Sequence, residues 1–112
     1  MMNMEERYLK LEETIRSYNP GANFAQIRAA YEFAAAAHEG QKRKDGSPFV
    51  SHPLAVAQIV AEELHLDSES IMAALLHDTI EDTSATHEEV SKMFSPTVAD
   101  LVEGVSKLTR VH

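Results

Sequence analysis

The chain has 112 residues, of which 44% are hydrophobic and 25% charged, a composition typical of one ordinary globular domain spanning residues 1–112. Its formal charge of −8 argues against nucleic acid and anionic membranes as partners, and we expect neither. The absence of cysteine excludes disulfides and thiolate metal sites, and residues 1–6 do not resemble a signal peptide, so a cytoplasmic location is expected.

Apolar residues recur at spacings of three and four, which predicts an all-α fold of about six helices. The first helix begins near Asn3, which can cap it together with Glu6, and it ends at Asn19-Pro20-Gly21. The second covers residues 24–39, and Gly40 stops it. The side chains predicted to share the inner faces of these helices are Met4, Tyr8, Leu11, Ile15 and Tyr18, then Ile27, Tyr31, Ala34 and His38.

Residues 40–50 form the one long polar connection, and the dipeptides Asp45-Gly46 and Ser47-Pro48 within it are typical of turns. A third helix begins near Pro53, because proline is well suited to the first helical position. The residues predicted to face the core from this helix are Leu54, Ala57, Val60 and Leu64.

Three further helices are predicted in the second half of the chain. Asp67 caps the fourth, Thr86 and Glu89 form a capping box for a short fifth, and Ser95-Pro96 opens the sixth. The residues expected to point inward are Ile71, Ala74 and Leu75 in the fourth helix, and Val98, Leu101, Val102 and Val105 in the sixth.

The end of the fourth helix carries an adjacent histidine and aspartate, His77 and Asp78. Asp78 takes a position that the helical period assigns to a core residue, and burying its charge is costly unless the charge is paired or metal-bound. His52 stands just before Pro53, at the start of another helix. Two imidazoles and one carboxylate suit Mn, Fe, Zn or Ni better than Ca or Mg. The sequence therefore predicts a metal site.

Two more acidic residues, Glu81 and Asp82, follow closely. If the helix continues past Thr79, these side chains return to the face of Asp78 at spacings of three and four. They could then act as general base and general acid beside a metal-bound water. Taken singly, each of these ionisable residues is more often a helix cap or a satisfied core group than a ligand.

A second candidate site is the basic run Lys42-Arg43-Lys44. In an acidic chain this patch is a natural binding place for an anionic substrate, and Arg43 could stack on an aromatic base. A solvated loop is the alternative. We expect His65 and His87 on the surface, and His38 in a structural role.

Four segments resemble the hydrolase domain of RelA/SpoT homologues, the (p)ppGpp synthetases and hydrolases of the bacterial stringent response. The family belongs to the HD superfamily of metal-dependent phosphohydrolases, which implies an HD-type helical bundle. The matching segments, which occur in order within residues 20–110, are residues 37–43 (AHEGQKR), 48–57 (PFVSHPLAVA), 73–83 (AALLHDTIEDT) and 102–109 (VEGVSKLT).

The resemblance implies roles for the first candidate site. His52, His77 and Asp78 would bind one Mn²⁺ ion. Glu81 and Asp82 would orient and activate the water that attacks the 3′-pyrophosphate. The His-Asp pair is intact here, whereas family members that have lost hydrolysis carry a disrupted one, so these positions are hydrolase-competent.

The same resemblance implies roles for the basic run. Arg43 would pack against the guanine base, and Lys44 would lie close to the nucleotide. The substrate would be guanosine tetra- or pentaphosphate, and the products GDP or GTP and pyrophosphate. Two alternatives stay open: an inactive or regulatory nucleotide-binding fragment of such a protein, and an HD phosphohydrolase that acts on another nucleotide.

One departure from the family concerns the C-terminal side. The family completes its metal site with a further aspartate beyond the Ser-Lys-Leu segment, followed by an asparagine that touches the nucleotide, and the sequence ends at His112 before either. Asp100 is no substitute, because it lies away from the inward stripe. We therefore expect an N-terminal portion that lacks the C-terminal helices, binds metal more weakly, and can self-associate through exposed apolar surface.

Overall fold

The structure, a computed structural model, describes the backbone of residues 2–110 and the side chains of residues 2–105. The described chain is all-α, as predicted. Its β structure is a single isolated bridge between Lys42 and Pro48. Its helices are α1 (Met4–Tyr18), α2 (Phe24–Ala37), α3 (Ser51–Leu64), α4 (Ser68–Leu76), α5 (Thr79–Asp82), α6 (His87–Met93) and α7 (Pro96–Arg110). Side chains 106–109 of the predicted 102–109 segment lie outside the described residues.

Two of the predicted helix starts rest on a capping box, and the structure confirms both. The Asn3 side chain accepts a hydrogen bond from the Glu6 amide at 2.8 Å, and the Glu6 carboxylate accepts one from the Asn3 amide. Thr86 and Glu89 form the same reciprocal pair at the start of α6. Such caps satisfy backbone amides that have no partner inside the helix. The helices therefore begin where the sequence places these side chains.

Helix α4 lies at the centre of the fold, in contact with α2, α3 and α7. Five of its nine residues are buried, which explains why it is apolar around most of its circumference. They are Ile71, Met72, Ala73, Leu75 and Leu76. Because packing fixes α4 on several sides, the residues at its C-terminal end are held in defined positions.

Three side chains predicted to face the core are exposed instead. Leu64 is 64% exposed at the end of α3, and Leu101 and Val105 are 38% and 36% exposed on α7. Among the described side chains of α7, those of Val98, Ala99 and Val102 are buried, so this part of its inner face is narrower than predicted. Leu101 and Val105 line an apolar cavity of about 510 Å³ between α3, α4 and α7.

The connection between α2 and α3 is a small ordered hairpin. The Phe49 amide donates to the Gln41 carbonyl at 3.0 Å, and the Arg43 amide to the Ser47 carbonyl at 2.9 Å. Gly46 has a φ of 88°, a left-handed conformation that favours glycine. Helix α3 begins at Ser51, two residues before the predicted start. In the described part of the chain, no helix has the length and apolar character needed to cross a bilayer.

Candidate metal centre

Three side chains of ligand type converge where α3 meets the end of α4. His52 lies in the first turn of α3, and His77 and Asp78 lie between α4 and α5. Oδ2 of Asp78 is 3.2 Å from Nε2 of His77 and 3.7 Å from Nε2 of His52. One potential ligand atom from each residue falls within 4.8 Å of the others. The structure thus brings together the three residues predicted from the sequence as metal ligands.

The orientation of His77 is set by the helix that precedes it. Its Nδ1 atom lies 2.7 Å from the Ala74 carbonyl, and because a carbonyl only accepts, Nδ1 carries the hydrogen. In the neutral ring, Nε2 then presents a lone pair toward the Asp78 carboxylate. Two electron-rich atoms at this separation repel unless a proton or a cation lies between them. The donor set therefore fits a divalent cation, with a backbone carbonyl orienting the histidine.

Exposure differs across the three side chains. His77 and Asp78 are 12% and 18% exposed, whereas His52 is 40% exposed. The centre is therefore packed against the protein on the α4 side and open to solvent on the α3 side. Such an opening leaves room for solvent or substrate ligands, as in catalytic metal sites.

The break between α4 and α5 produces this geometry. The condition that the helix continues past Thr79 is only partly met, because α4 ends at Leu76 and a single new turn begins at Thr79. The hydroxyl of Thr79, which is fully buried, donates to the Leu76 carbonyl at 2.7 Å. The Asp82 amide donates to the Asp78 carbonyl at 2.9 Å, which preserves the predicted spacing of four. Glu81 and Asp82 are exposed, three and four residues after Asp78.

The basic run lines a separate cavity of about 590 Å³. Lys42, Arg43 and Lys44 form its wall with Asp45 and Phe49. The three basic side chains are exposed, and hydrogen bonds from the Ser47 hydroxyl and amide lower the pKa of Asp45. The ring of Phe49 is 6.1 Å from that of His52. Phe49 therefore connects the basic cavity with the candidate metal centre.

Two contacts of the 40–50 connection were not predicted. Gln41 Nε2 donates to the Asp82 carbonyl at 3.1 Å, and the buried His38 stacks on Phe49 with a centroid distance of 4.6 Å. His38 and Gln41 stand three residues apart within the 37–43 segment, but nothing in their spacing indicates a partner 41 residues away. The contact between Gln41 and Asp82 depends on tertiary packing, which brings the 40–50 connection next to the end of α5.

A protein-family model described as an HD domain matches residues 30–112, about three quarters of the chain. The chain belongs to the HD domain family. The architecture of this HD domain consists of the seven described helices. Its candidate metal-binding residues are the three converging side chains.

Named relatives of this HD domain confirm the resemblance to RelA/SpoT proteins. The bifunctional (p)ppGpp synthase/hydrolase SpoT of Escherichia coli K12 is 50% identical over 101 residues, 90% of this chain and 14% of that protein. The GTP pyrophosphokinase rsh of Brucella melitensis biotype 1 is 46% identical over 105 residues, 94% of this chain and 14% of that protein. The chain thus spans about one seventh of the length of these curated relatives.

A solved structure shares the fold of this HD domain with a TM-score of 0.70. It is described as a metazoan ortholog of SpoT that hydrolyzes ppGpp and plays a role in starvation responses. The two sequences are 39% identical, and the match covers 73% of this chain and 48% of the other. At this identity the likeness extends beyond the fold to the sequence.

The HD domain also holds a second group of ligand-type side chains, outside the candidate centre. Nε2 of His87 lies 3.1 Å from Asp100 and 3.7 Å from Glu103. Both carboxylates are at least half exposed, so water competes for them. As expected, Asp100 lies away from the inward stripe of α7: it is 72% exposed and pairs with His87.

Proposed function

We propose that this HD domain contributes the metal-binding and acidic residues of a site that hydrolyses the 3′-pyrophosphate of guanosine tetra- or pentaphosphate. The observation that carries the proposal is the convergence of two imidazole Nε2 atoms on one oxygen of Asp78, which is followed in the sequence by two exposed carboxylates, Glu81 and Asp82. The substrate class comes from the relatives, one of which is named for (p)ppGpp hydrolysis.

The proposed ligands of the cation are His52, His77 and Asp78, and the proposed cation is Mn²⁺, which accepts mixed nitrogen and oxygen ligands. When bound, such an ion supplies Lewis-acid polarisation of a phosphoryl oxygen and lowers the pKa of a coordinated water. The Ala74 carbonyl keeps the Nε2 atom of His77 available for this role.

In the proposed reaction, water attacks the phosphorus attached to the 3′-oxygen, and the bond between that phosphorus and the 3′-oxygen breaks. Glu81 and Asp82 take the proton from the attacking water and return one to the departing 3′-oxygen. The products are pyrophosphate and GDP or GTP. The exposure of both carboxylates leaves them accessible to a bound nucleotide.

The nucleotide would lie in the cavity of the basic run. Arg43 offers a planar guanidinium that stacks on the guanine base, and Lys44 offers a point charge for phosphate. Because Phe49 lines this cavity and also faces His52, a nucleotide bound there lies next to the candidate centre. A cytoplasmic location, where guanine nucleotides occur, is part of the proposal.

We also propose self-association through the apolar cavity between α3, α4 and α7. Leu101 and Val105 are exposed there, and covering them against a second copy removes apolar area from water. Sedimentation of the wild type and of Leu101→Glu tests this part: association that persists unchanged in the variant rules out this surface.

The experiment that tests the function is release of pyrophosphate from ppGpp in the presence of Mn²⁺. His77→Ala serves as the blank, and His87→Ala as a matched histidine variant outside the candidate centre. Release by the wild type and His87→Ala, but not by His77→Ala, supports the proposal. Binding of ppGpp without release favours the alternative of a non-catalytic nucleotide-binding module. Hydrolysis of ATP or dGTP in preference to ppGpp favours an HD phosphohydrolase with another substrate.

A further inference from the structure

Gln41 joins two parts of the candidate site that are distant in the sequence. Its Nε2 atom donates to the backbone carbonyl of Asp82 at 3.1 Å, and its Oε1 atom lies 3.2 Å from Nδ1 of His38. Because the Asp82 carbonyl can only accept, the amide group of Gln41 has one orientation. Oε1 therefore faces His38, and Nδ1 of His38 is the donor.

His38 is placed to hold that amide in position. Its side chain is buried, with 2% of its surface exposed, and its ring packs on Phe49 at 4.6 Å. Its Nε2 atom has no hydrogen-bond partner among the described residues. A buried polar atom without a partner carries a free-energy penalty that an apolar residue would avoid. The hydrogen bond from Nδ1 to Gln41 accounts for a histidine at this position.

The backbone of Gln41 is anchored as well. Its amide donates to the His38 carbonyl at 2.9 Å, and its carbonyl accepts from the Phe49 amide at 3.0 Å. Gln41 is therefore fixed to the end of α2 on one side and to the basic hairpin on the other. A side chain held at both of its polar ends and along its backbone has little freedom to move.

The segment that Gln41 contacts depends on outside support. Helix α5 has only four residues, and one helical turn is not stable by itself in water. The first residue of α5, Thr79, is buried in the core, whereas its last two residues, Glu81 and Asp82, are exposed. The hydrogen bond from Gln41 holds the carbonyl at that exposed end.

We infer that Gln41 is a positioning residue. It fixes the acidic turn, which is α5 with Glu81 and Asp82, relative to the hairpin between α2 and α3, and His38 orients the Gln41 amide. This inference rests on the proposed function for the catalytic role of Glu81 and Asp82. The hydrogen bond between Gln41 and the Asp82 carbonyl does not depend on that role. The side-chain amide of Gln41 donates to the backbone carbonyl of Asp82, so its effect passes through the backbone of that residue.

The test compares Gln41→Leu and Gln41→Glu with the control Gln58→Leu. Gln41→Glu keeps an acceptor for His38 and removes the donor to Asp82, so it tests the contact even if the leucine variant folds poorly. Gln58 is a half-buried glutamine whose Nε2 atom donates to Thr14 at 2.9 Å and Glu62 at 2.6 Å, away from the candidate site.

The first readout is amide hydrogen exchange at Asp82 and Thr83, which needs no catalysis. Both Gln41 variants should accelerate exchange there by roughly five- to tenfold, and Gln58→Leu should leave it unchanged. The second readout is ppGpp hydrolysis, in which kcat should fall at least tenfold while KM and Mn²⁺ affinity stay within about threefold of wild type.

Unchanged exchange at both amides in the two Gln41 variants overturns the inference. So does a rise in KM with kcat unchanged, because Gln41 would then serve nucleotide binding instead of the acidic turn. If the wild type releases no pyrophosphate, the proposed function fails, and the exchange readout alone decides whether Gln41 holds α5.

Discussion

Nε2 of His77 lies 3.2 Å from Oδ2 of Asp78, its neighbour in the chain. Neighbouring side chains on a continuous helix point about 100° apart and do not usually meet. Here they meet where α4 ends at Leu76 and α5 begins at Thr79, so the two residues belong to neither helix interior. The helix break thus creates the paired ligand-type atoms, and His52 of α3 completes the group.

Substitutions can distinguish the catalytic role proposed for Glu81 and Asp82 from the role proposed for the metal ligands. Glu81→Gln and Asp82→Asn keep side-chain size and remove the charge, so we expect Mn²⁺ binding to persist while kcat for ppGpp hydrolysis falls about 10²- to 10⁴-fold in at least one variant. Steady-state kinetics with parallel metal titrations measures both. Glu88→Gln, on an exposed residue of α6, is the matched control. Full activity in both site variants would remove Glu81 and Asp82 from the mechanism.

The basic cavity predicts a binding effect that depends on salt. Arg43→Ala should raise the KM for ppGpp by about tenfold or more, with a smaller change in kcat, because it removes the guanidinium that stacks on the base and a positive charge near an anionic nucleotide. Raising ionic strength should weaken binding to the wild type more than to the variant. Lys92→Ala, which alters an exposed lysine on α6, should behave as wild type. Equal KM values for Arg43→Ala and Lys92→Ala would contradict this placement of the nucleotide.

The buried hydroxyl of Thr79 stabilises the helix break. Thr79→Val keeps the side-chain shape but leaves the Leu76 carbonyl without its 2.7 Å donor, so we expect a loss of about 1–2 kcal/mol in the free energy of unfolding. Urea denaturation measures it. Thr97→Val, at an exposed position of α7, should change stability by less than about 0.5 kcal/mol. Equal stability of Thr79→Val and wild type would show that this hydrogen bond does not hold the break.

The cap of α4 predicts a pH dependence of stability. Hydrogen bonds from the hydroxyl and amide of Ser70 lower the pKa of Asp67 in the folded protein. A lowered folded pKa means that the carboxylate contributes stability above its unfolded pKa of about 3.9, and that this contribution is lost as pH falls toward the folded pKa.

Asp67→Ala should therefore cost about 1 kcal/mol at pH 7 and less near pH 3, as measured by urea denaturation at both values. Asp67→Asn keeps a capping oxygen without a titratable group, so it separates the hydrogen bond from the charge. A cost of Asp67→Ala that is the same at both pH values would show that the charge contributes nothing.

The starts of α1 and α6 could be predicted because their signals are local. Asn3 with Glu6, and Thr86 with Glu89, carry their partners within one turn, so no distant part of the chain needs to be known. The convergence of His52, His77 and Asp78 was also predicted, from residue chemistry and from the family resemblance. Its role as a metal site stays a prediction.

The remaining features depend on packing that the sequence does not reveal. Periodicity identifies the apolar face of α7 but not what covers it, so Leu101 and Val105 were wrongly expected in the core. The break between α4 and α5 was not predicted, because His77 and Asp78 keep right-handed helical backbone angles, and the hydroxyl of Thr79 marks the break through a hydrogen bond that periodicity does not reveal. The contact between Gln41 and Asp82 crosses 41 residues and follows from tertiary structure alone.

The most direct test of the candidate centre is a titration with Mn²⁺, monitored by calorimetry or electron paramagnetic resonance. It compares the wild type with His77→Ala, Asp78→Ala and the control His87→Ala. We expect one Mn²⁺ site in the wild type and in His87→Ala. Binding should be at least about 100-fold weaker in His77→Ala and Asp78→Ala, while their far-ultraviolet circular dichroism should show unchanged helix content. Wild-type Mn²⁺ affinity in both His77→Ala and Asp78→Ala would contradict the account, because the cation would then be bound elsewhere.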